Sequence, residues 1–222
     1  MQFLKSSIGR KLVMAATGLA MLFFIVVHVI GNSTVYFGWL NAYAEHLHAL
    51  PPLVWLFRLT LLAMFLLHSF FGIQLTLENR ASKPGSYAVR KSVRATFAGR
   101  TMIWTGLLIA AFLAYHLLHF TFQVTNPEIS SGRNVDVVGR PDVSRMVLMS
   151  FRNVFISCIY VISMIALALH LSHGIQSFFQ TTGLDNERVM PAIIKAGMIT
   201  AVILLLGYIS IPAAVMLRIL KG

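Results

Sequence analysis

Four histidines stand at repeated positions in strongly apolar sequence, where an imidazole is costly to bury unless its ring nitrogens find partners. Leu67-His68-x-x-x-Gly72-Ile73-Gln74 returns as Leu169-His170-x-x-x-Gly174-Ile175-Gln176. Upstream of each, Thr17-Gly18-Leu19, with His28 ten residues after the glycine, returns as Thr105-Gly106-Leu107 with His116 at the same interval. Neutral imidazole is a good axial ligand for haem iron, and one histidine from each of two helices gives a six-coordinate haem suited to electron transfer and not to oxygen binding. Four histidines in two pairs would hold two such haems. One membrane histidine alone reads as well as an interhelical hydrogen bond; four in two depth-matched pairs do not.

Composition sets the elements that must position them. The chain has 222 residues, 57% hydrophobic and 11% charged, with a mean hydropathy of +0.77. These values exclude an ordinary soluble domain and indicate a single membrane domain over 1–222. Five apolar runs, at 12–35, 53–77, 102–124, 154–179 and 193–217, each have about the 20 residues that a helix needs to cross the hydrocarbon core. No acidic residue falls inside one. The first run is too long, and too poorly followed by a small-residue cleavage site, for a signal peptide, and reads as a retained helix. The fifth carries no histidine and, from Ala196 to Leu217, no charge. It reads as a packing helix that Pro212 kinks near its end.

Depth pairs the histidines. Along a helix His28 lies about 25 Å from Lys11 and His116 about 24 Å from Arg100, while His68 and His170 lie roughly 15 Å from that same edge. His28 therefore pairs with His116, and His68 with His170. Gly72 and Gly174 follow a histidine by four residues on the same helical face, which makes room for a flat macrocycle or a close neighbouring helix. Their repetition beside a histidine favours the macrocycle. His119 and His173 lie three residues after proposed ligands and near the same faces. Only His116 keeps the Thr-Gly-Leu interval, however, and only His170 keeps the Leu-His frame, so His119 and His173 are left as neighbours of a propionate or a quinone.

Other chemistries fit less well. A structural zinc site would want four ligands at one depth, often with thiolates. A di-iron carboxylate site would need intramembrane glutamates, and proton pumps usually show buried carboxylates. The single cysteine, Cys158, excludes an intrachain disulfide and an iron–sulphur cluster held by this chain alone. There is no Gly-rich phosphate loop, so any flavin or cluster belongs to partner chains.

The net charge of +11 does not indicate nucleic acid, because the basic residues flank apolar spans and form no continuous face. Lys5, Arg10 and Lys11 precede the first run, Arg80, Lys83, Arg90, Lys91, Arg94 and Arg100 fill the second loop, and Arg188 and Lys195 occupy the fourth. The positive-inside bias puts the N-terminus in the cytoplasm and the C-terminus outside, against Arg133, Arg140, Arg145 and Arg152 on the other side. The loop 80–100, punctuated by Pro84-Gly85, is either a docking surface for a soluble partner or a solvated topogenic loop. The loop 38–52 ends in Pro51-Pro52, which would stop a short interfacial helix. The longest outer connection, 125–152, has loop composition: Asn126-Pro127, Ser130-Ser131-Gly132 and Arg140-Pro141-Asp142.

At these residues the chain resembles the cytochrome b membrane anchor of succinate:quinone oxidoreductases, the succinate dehydrogenase and fumarate reductase family, in its branch with one five-helix subunit and two b haems. The resemblance covers nearly the whole chain. It rests on His28, on Asn41-Ala-Tyr-Ala-Glu-His-Leu-His48, on His68 followed by Glu78-Asn79-Arg80, on Arg100-Thr-Met-Ile-Trp104 leading to Tyr115-His116-Leu-Leu-His119, and on Leu169-His-Leu-Ser-His-Gly174. It implies an all-α membrane protein with five transmembrane helices, the first four forming a bundle around two b haems. The proximal haem would be held by His68 and His170 and the distal haem by His28 and His116. The implied partners are a flavoprotein subunit with covalent FAD, which interconverts succinate and fumarate, and an iron–sulphur subunit that relays electrons, docking at loop 80–100.

The resemblance also implies a quinone, menaquinone for a two-haem anchor, reacting near the distal haem, and a home in the bacterial cytoplasmic (inner) membrane. By position Tyr43, Glu45 and His48 are the polar groups best placed to hydrogen-bond it or exchange its protons; interfacial anchoring is the other reading of the same residues. Some fumarate reductase anchors carry a glutamate two residues before the fourth ligand, where this chain has Ala168. The rival readings are the anchor of a hydrogenase or formate dehydrogenase, and a haem-free membrane scaffold.

Overall fold

A computed structural model describes residues 4, 6–82 and 97–221, and within these the chain is helical apart from turns and one isolated bridge between Val135 and Pro141. The basic stretch 83–96, with Pro84-Gly85 and most of the expected docking loop, lies outside the described residues, as does Lys5. The helices are α1 (Ser7–Asn32), α2 (Leu40–His48), α3 (Pro51–Ala81), α4 (Phe97–His116), α5 (Val143–Phe151), α6 (Val154–Thr182) and α7 (Met190–Met216). Five of them, α1, α3, α4, α6 and α7, are long and apolar enough to span a membrane, at the places where the five apolar runs predict them.

Helix ends follow local chemistry more than hydropathy. Ser6 caps α1, its Oγ accepting from the Gly9 amide at 3.0 Å. This satisfies an amide left over at the helix start, so α1 begins a full turn before its apolar run. Pro51-Pro52 open α3 from its first turn, where a missing N–H costs nothing. Asn153 caps α6 by accepting from Phe155 and Ile156, and Gly183, at φ +72°, ends it in the left-handed conformation that glycine adopts without strain. Pro212 lies inside one continuous α7. α4 departs from expectation at its far end: past His116 it widens into a π turn, Leu117–Thr121, with the Phe122 amide donating to the Leu117 carbonyl at 2.7 Å.

Packing fixes the bundle. α1 lies against α3 and α6, α4 lies against α6 and touches α3, and α7 lies along α6 and also meets α1. Around the bundle the order is α1, α3, α4, α6, which puts α1 opposite α4 and α3 opposite α6. At one end α1 and α3 are tied by Arg10 and Glu78, 2.6 Å apart, with Gln74 also donating to Glu78 at 3.0 Å.

The connection 125–152, expected to be loop, carries α5. Asp142 caps it by accepting from the Arg145 amide at 2.9 Å, and Val143, Val147, Leu148 and Phe151 turn inward onto Val35, Tyr160 and Val215. Together α2 and α5 cover the end of the bundle away from the Arg10–Glu78 pair. Buried Asn41 joins them: its side-chain amide donates to Asp136 at 3.2 Å and Asp142 at 3.0 Å, while its oxygen accepts from the Ser144 amide at 2.8 Å.

Asp136 organises the turn before α5. Its carboxylate accepts from the Arg140 and Val138 amides and from the Arg140 guanidinium, at 2.8 to 3.0 Å. Donation from the Arg140 backbone is the largest influence and, against a smaller opposing loss of solvation, it holds the carboxyl at about 2, below the ordinary 3.8. A carboxyl whose folded pKa lies below its unfolded value contributes stability that is present above the unfolded value and is lost as pH falls through the folded one. The protection of the Val138 and Arg140 amides, relative to their intrinsic exchange rates, is therefore expected to hold down to about pH 4 and to fall between about pH 4 and 2, with Asp136→Asn abolishing that dependence. Asn41→Leu should lower the unfolding free energy by about 1–3 kcal/mol in a denaturation experiment, since it strips the Ser144 amide of its acceptor and two carboxylates of a donor.

Candidate functional site

His68 and His170 are each pressed against the backbone of a neighbouring helix. The His68 Nδ1–H donates to the Met14 carbonyl at 2.9 Å, with the Thr17 hydroxyl 3.5 Å away. This approach requires Gly18: a Cβ there would stand 3.1 Å from the His68 ring. The arrangement recurs in the second half of the chain. His170 engages the Met102 carbonyl and the Thr105 hydroxyl, the latter at 3.3 Å, and a Cβ on Gly106 would stand 3.4 Å from its ring. The two sequence echoes are thus the two sides of one helix–helix joint, used once between α1 and α3 and again between α4 and α6.

Gly72 and Gly174 belong to the same joint. A Cβ on Gly72 would lie 3.7 Å from the Met14 sulphur, and one on Gly174 would lie 3.8 Å from the Met102 methyl. The nearest atom beside each glycine belongs to a methionine of the neighbouring helix, the close helix neighbour that the residues also allow. Met14 and Met102 extend the echo to Met-x-x-Thr-Gly-Leu in both halves.

His28 and His116 lie nearer the α2–α5 end. Gly18 marks the level of His68 on α1, and His28 is ten residues further on, so the two levels are about 15 Å apart along the axis. His28 is surrounded by rings: Phe24 stacks on it at 5.3 Å and Tyr208 of α7 stands 6.2 Å away. His116 has the Tyr160 hydroxyl 3.3 Å from its Nδ1, with Phe112 and Phe120 alongside.

Across each diagonal of the bundle the histidines face one another. The ring centroids of His28 and His116 are 6.0 Å apart, and those of His68 and His170 are 6.2 Å apart. Two imidazoles bound on opposite sides of one metal ion, each through a bond of about 2 Å with the ring centre roughly 1 Å behind the nitrogen, have centroids about 6 Å apart. Turning either ring about the shared axis leaves that separation unchanged, so the interplanar angles of 87° and 62° fit as well. In three of the four rings Nδ1 is engaged by protein, the arrangement that fixes the tautomer of a metal-ligating histidine and leaves Nε2 for the metal. Among the described residues no three His, Cys, Asp or Glu side chains converge on one point. Each site is therefore a pair of facing imidazoles, a donor set that a bis-histidine haem would use.

The remaining candidate residues are dispersed. His119 is 2% exposed, with Tyr160 Oη 2.9 Å from its Nδ1 and Ser150 Oγ 3.0 Å from its Nε2, so protein occupies both nitrogens. His173 differs: its buried Nδ1 has no hydrogen-bond partner among the described residues. Tyr43 turns into the bundle over Gly31, where any side chain would overlap its ring. Glu45 and His48 are exposed on α2. Glu45 lies 4.0 Å from Arg140, and His48 Nε2 lies 3.3 Å from Arg58, which stacks over Trp55. Tyr43 therefore faces the bundle, while Glu45 and His48 lie on the exposed side of α2.

Two residues of the site lie outside the histidine pattern. Tyr160 and Tyr208 are tyrosines within apolar spans, and a buried phenol needs a hydrogen-bond partner, a signal that points to both. Tyr208 donates to the Ile25 carbonyl at 2.7 Å, so α7, expected only to pack, also places a ring beside His28. Comparison with protein-family models, curated proteins and solved structures gives no match for this chain.

The joint makes a sharp contrast between its glycines. Gly18→Val is expected to force His68 off the Met14 carbonyl and to destabilise the protein by about 1–3 kcal/mol, as overpacking does. Gly72→Ala, whose Cβ would make ordinary contact with the Met14 sulphur at 3.7 Å, should leave the thermal midpoint nearly unchanged. Thermal unfolding in detergent measures both.

Proposed function

We propose that this chain is a dihaem cytochrome b, the membrane anchor of a succinate:quinone oxidoreductase, carrying electrons between an iron–sulphur partner and a quinone. The observation that carries the reading is the pair of imidazole couples facing across the bundle diagonals at 6.0 and 6.2 Å. When bound, the two haems would supply reversible one-electron oxidation and reduction at two depths. His68 and His170 would hold one, His28 and His116 the other.

The chain's own residues do the rest. The Met14 and Met102 carbonyls keep the proximal imidazoles in one tautomer and raise their basicity. The ring cluster of Phe112, Tyr115, Phe120 and Tyr160, with α2 and α5 above it, screens the distal pair from water. His173, with its unpartnered Nδ1, is suited to hold a carboxylate such as a haem propionate. The end bearing Arg10, Lys11 and Arg100 is assigned to the cytoplasm by the positive-inside bias, to which Arg140, paired with Asp136 at 2.8 Å, contributes little opposition. Dicarboxylate chemistry is assigned to a flavoprotein partner. The quinone, menaquinone in this reading, is placed at the α2 end, where His48 beside Arg58 offers a proton-exchanging group at the surface.

The test is haem content per chain and the reduced-minus-oxidised spectrum of the complex purified from membranes. Two b-type haems are expected in the unaltered protein, one in His68→Ala and one in His28→Ala, the two variants losing different signals. His46→Ala, at an exposed position on α2, should keep both. A protein without haem would overturn the reading and return the histidines to helix packing. Copurification of a succinate-oxidising flavoprotein separates this anchor from that of a hydrogenase or formate dehydrogenase.

A further inference from the structure

Among the described residues, His116 is attached to a chain of side chains that no other histidine of the two pairs possesses. The Tyr160 hydroxyl lies 3.3 Å from His116 Nδ1 and 2.9 Å from His119 Nδ1, and His119 Nε2 lies 3.0 Å from Ser150 Oγ. Tyr160, His119 and Ser150 are 7%, 2% and 1% exposed, so water does not compete for these contacts. A phenol has one proton to give and lone pairs to receive. If His116 keeps Nε2 for a metal, its Nδ1–H must donate to Tyr160, Tyr160 must donate to His119 Nδ1, and His119 must carry its proton on Nε2, facing Ser150. One choice at His116 orders every proton in the row.

Backbone geometry builds this row deliberately. His119 lies within the π turn at Leu117–Thr121, and such turns gather at functional sites. The internal repeat supplies a control. The position of His119 is taken in the first half by Gly31, and that of Tyr160 by Arg58. The row is thus an addition to one ligand and not a property of the repeated joint, which partners His68 and His170 with backbone carbonyls.

We propose that Tyr160 and His119 are positioning residues for the centre held by His28 and His116, fixing the tautomer of His116 and setting the reduction potential of that centre alone. The inference rests on the dihaem reading above. An acceptor at Nδ1 makes an imidazole a more basic ligand and so favours the oxidised metal. Removing the acceptor should raise the potential of that centre and leave the other where it is.

The experiment is a redox titration with ferric-haem electron paramagnetic resonance on the detergent-solubilised complex, in Tyr160→Phe, His119→Gln and His119→Leu. The distal signal is identified as the one missing from His28→Ala. Tyr160→Phe is expected to keep two haems and to shift the distal oxidised-to-reduced ratio about tenfold toward reduced at fixed potential, 59 mV for one electron. Its g-values should move, and the proximal signal should not. His119→Gln, which can still accept from Tyr160, should shift the distal centre less than His119→Leu. An unmoved distal potential in Tyr160→Phe, or equal shifts of both centres, overturns the inference. If Tyr160→Phe loses the distal haem, the His119 pair decides: equal potentials in Gln and Leu overturn it, and the expected order upholds it. Absence of haem from the unaltered protein is a different failure, that of the dihaem reading itself.

Discussion

An imidazole inside a membrane span must find a hydrogen-bond acceptor for the nitrogen that its function does not use, because hydrocarbon offers none. Here the acceptor for His68 is the Met14 carbonyl, which already serves its own helix. A side chain can reach a helix carbonyl sideways only where the covering residue has no bulk, and Gly18 provides that opening. This requirement sets how closely α1 and α3 approach, and the same requirement at Gly106 sets α4 against α6. With those two pairs fixed, the remaining freedom is how one pair sits on the other, and the face-to-face histidines are what line the axis between them.

The two ends of the bundle solve the same problem with different materials. Near the Arg10–Glu78 pair the ring nitrogens are satisfied by backbone, which hardly moves and tolerates little substitution. Near α2 and α5 they meet side chains and aromatic rings, with Tyr160 in contact with Phe112, Phe120 and Phe151. Backbone partners make one level rigid and generic. Side-chain partners make the other level individually adjustable, and the short helices above it, joined through Asn41, keep that adjustable region dry.

Much of this arrangement is legible in the sequence because the strongest signals coincide. Hydropathy locates the five span-length helices, and the repeated His, Gly and Thr positions locate the facing histidine pairs, since both halves must build the same joint. The purpose of Gly72 and Gly174 is not legible, because a glycine records only that something comes close and not what. α5 escapes notice because turn formers at Asn126-Pro127 and Arg140-Pro141 surround nine helical residues whose apolar face is too short to stand out against loop composition. His119 could not be assigned by spacing: three residues past His116 it shares a face with it, and both rings reach the Tyr160 hydroxyl. Tyr43 parts from Glu45 and His48 because α2 is helical, which turns residues two and five apart in sequence to different sides.

Each half of the chain, α1 with α3 and α4 with α6, crosses the membrane span twice and so returns to the side from which it began. The halves are therefore related by rotation about the bundle axis and not by inversion, which places equivalent histidines at equal depth. Neither half owns a complete pair: α1 gives His28 and α3 gives His68, and each faces a residue that arrives only with α4 or α6. Each facing pair is thus a contact between the halves, and neither half alone can set two of these imidazoles face to face.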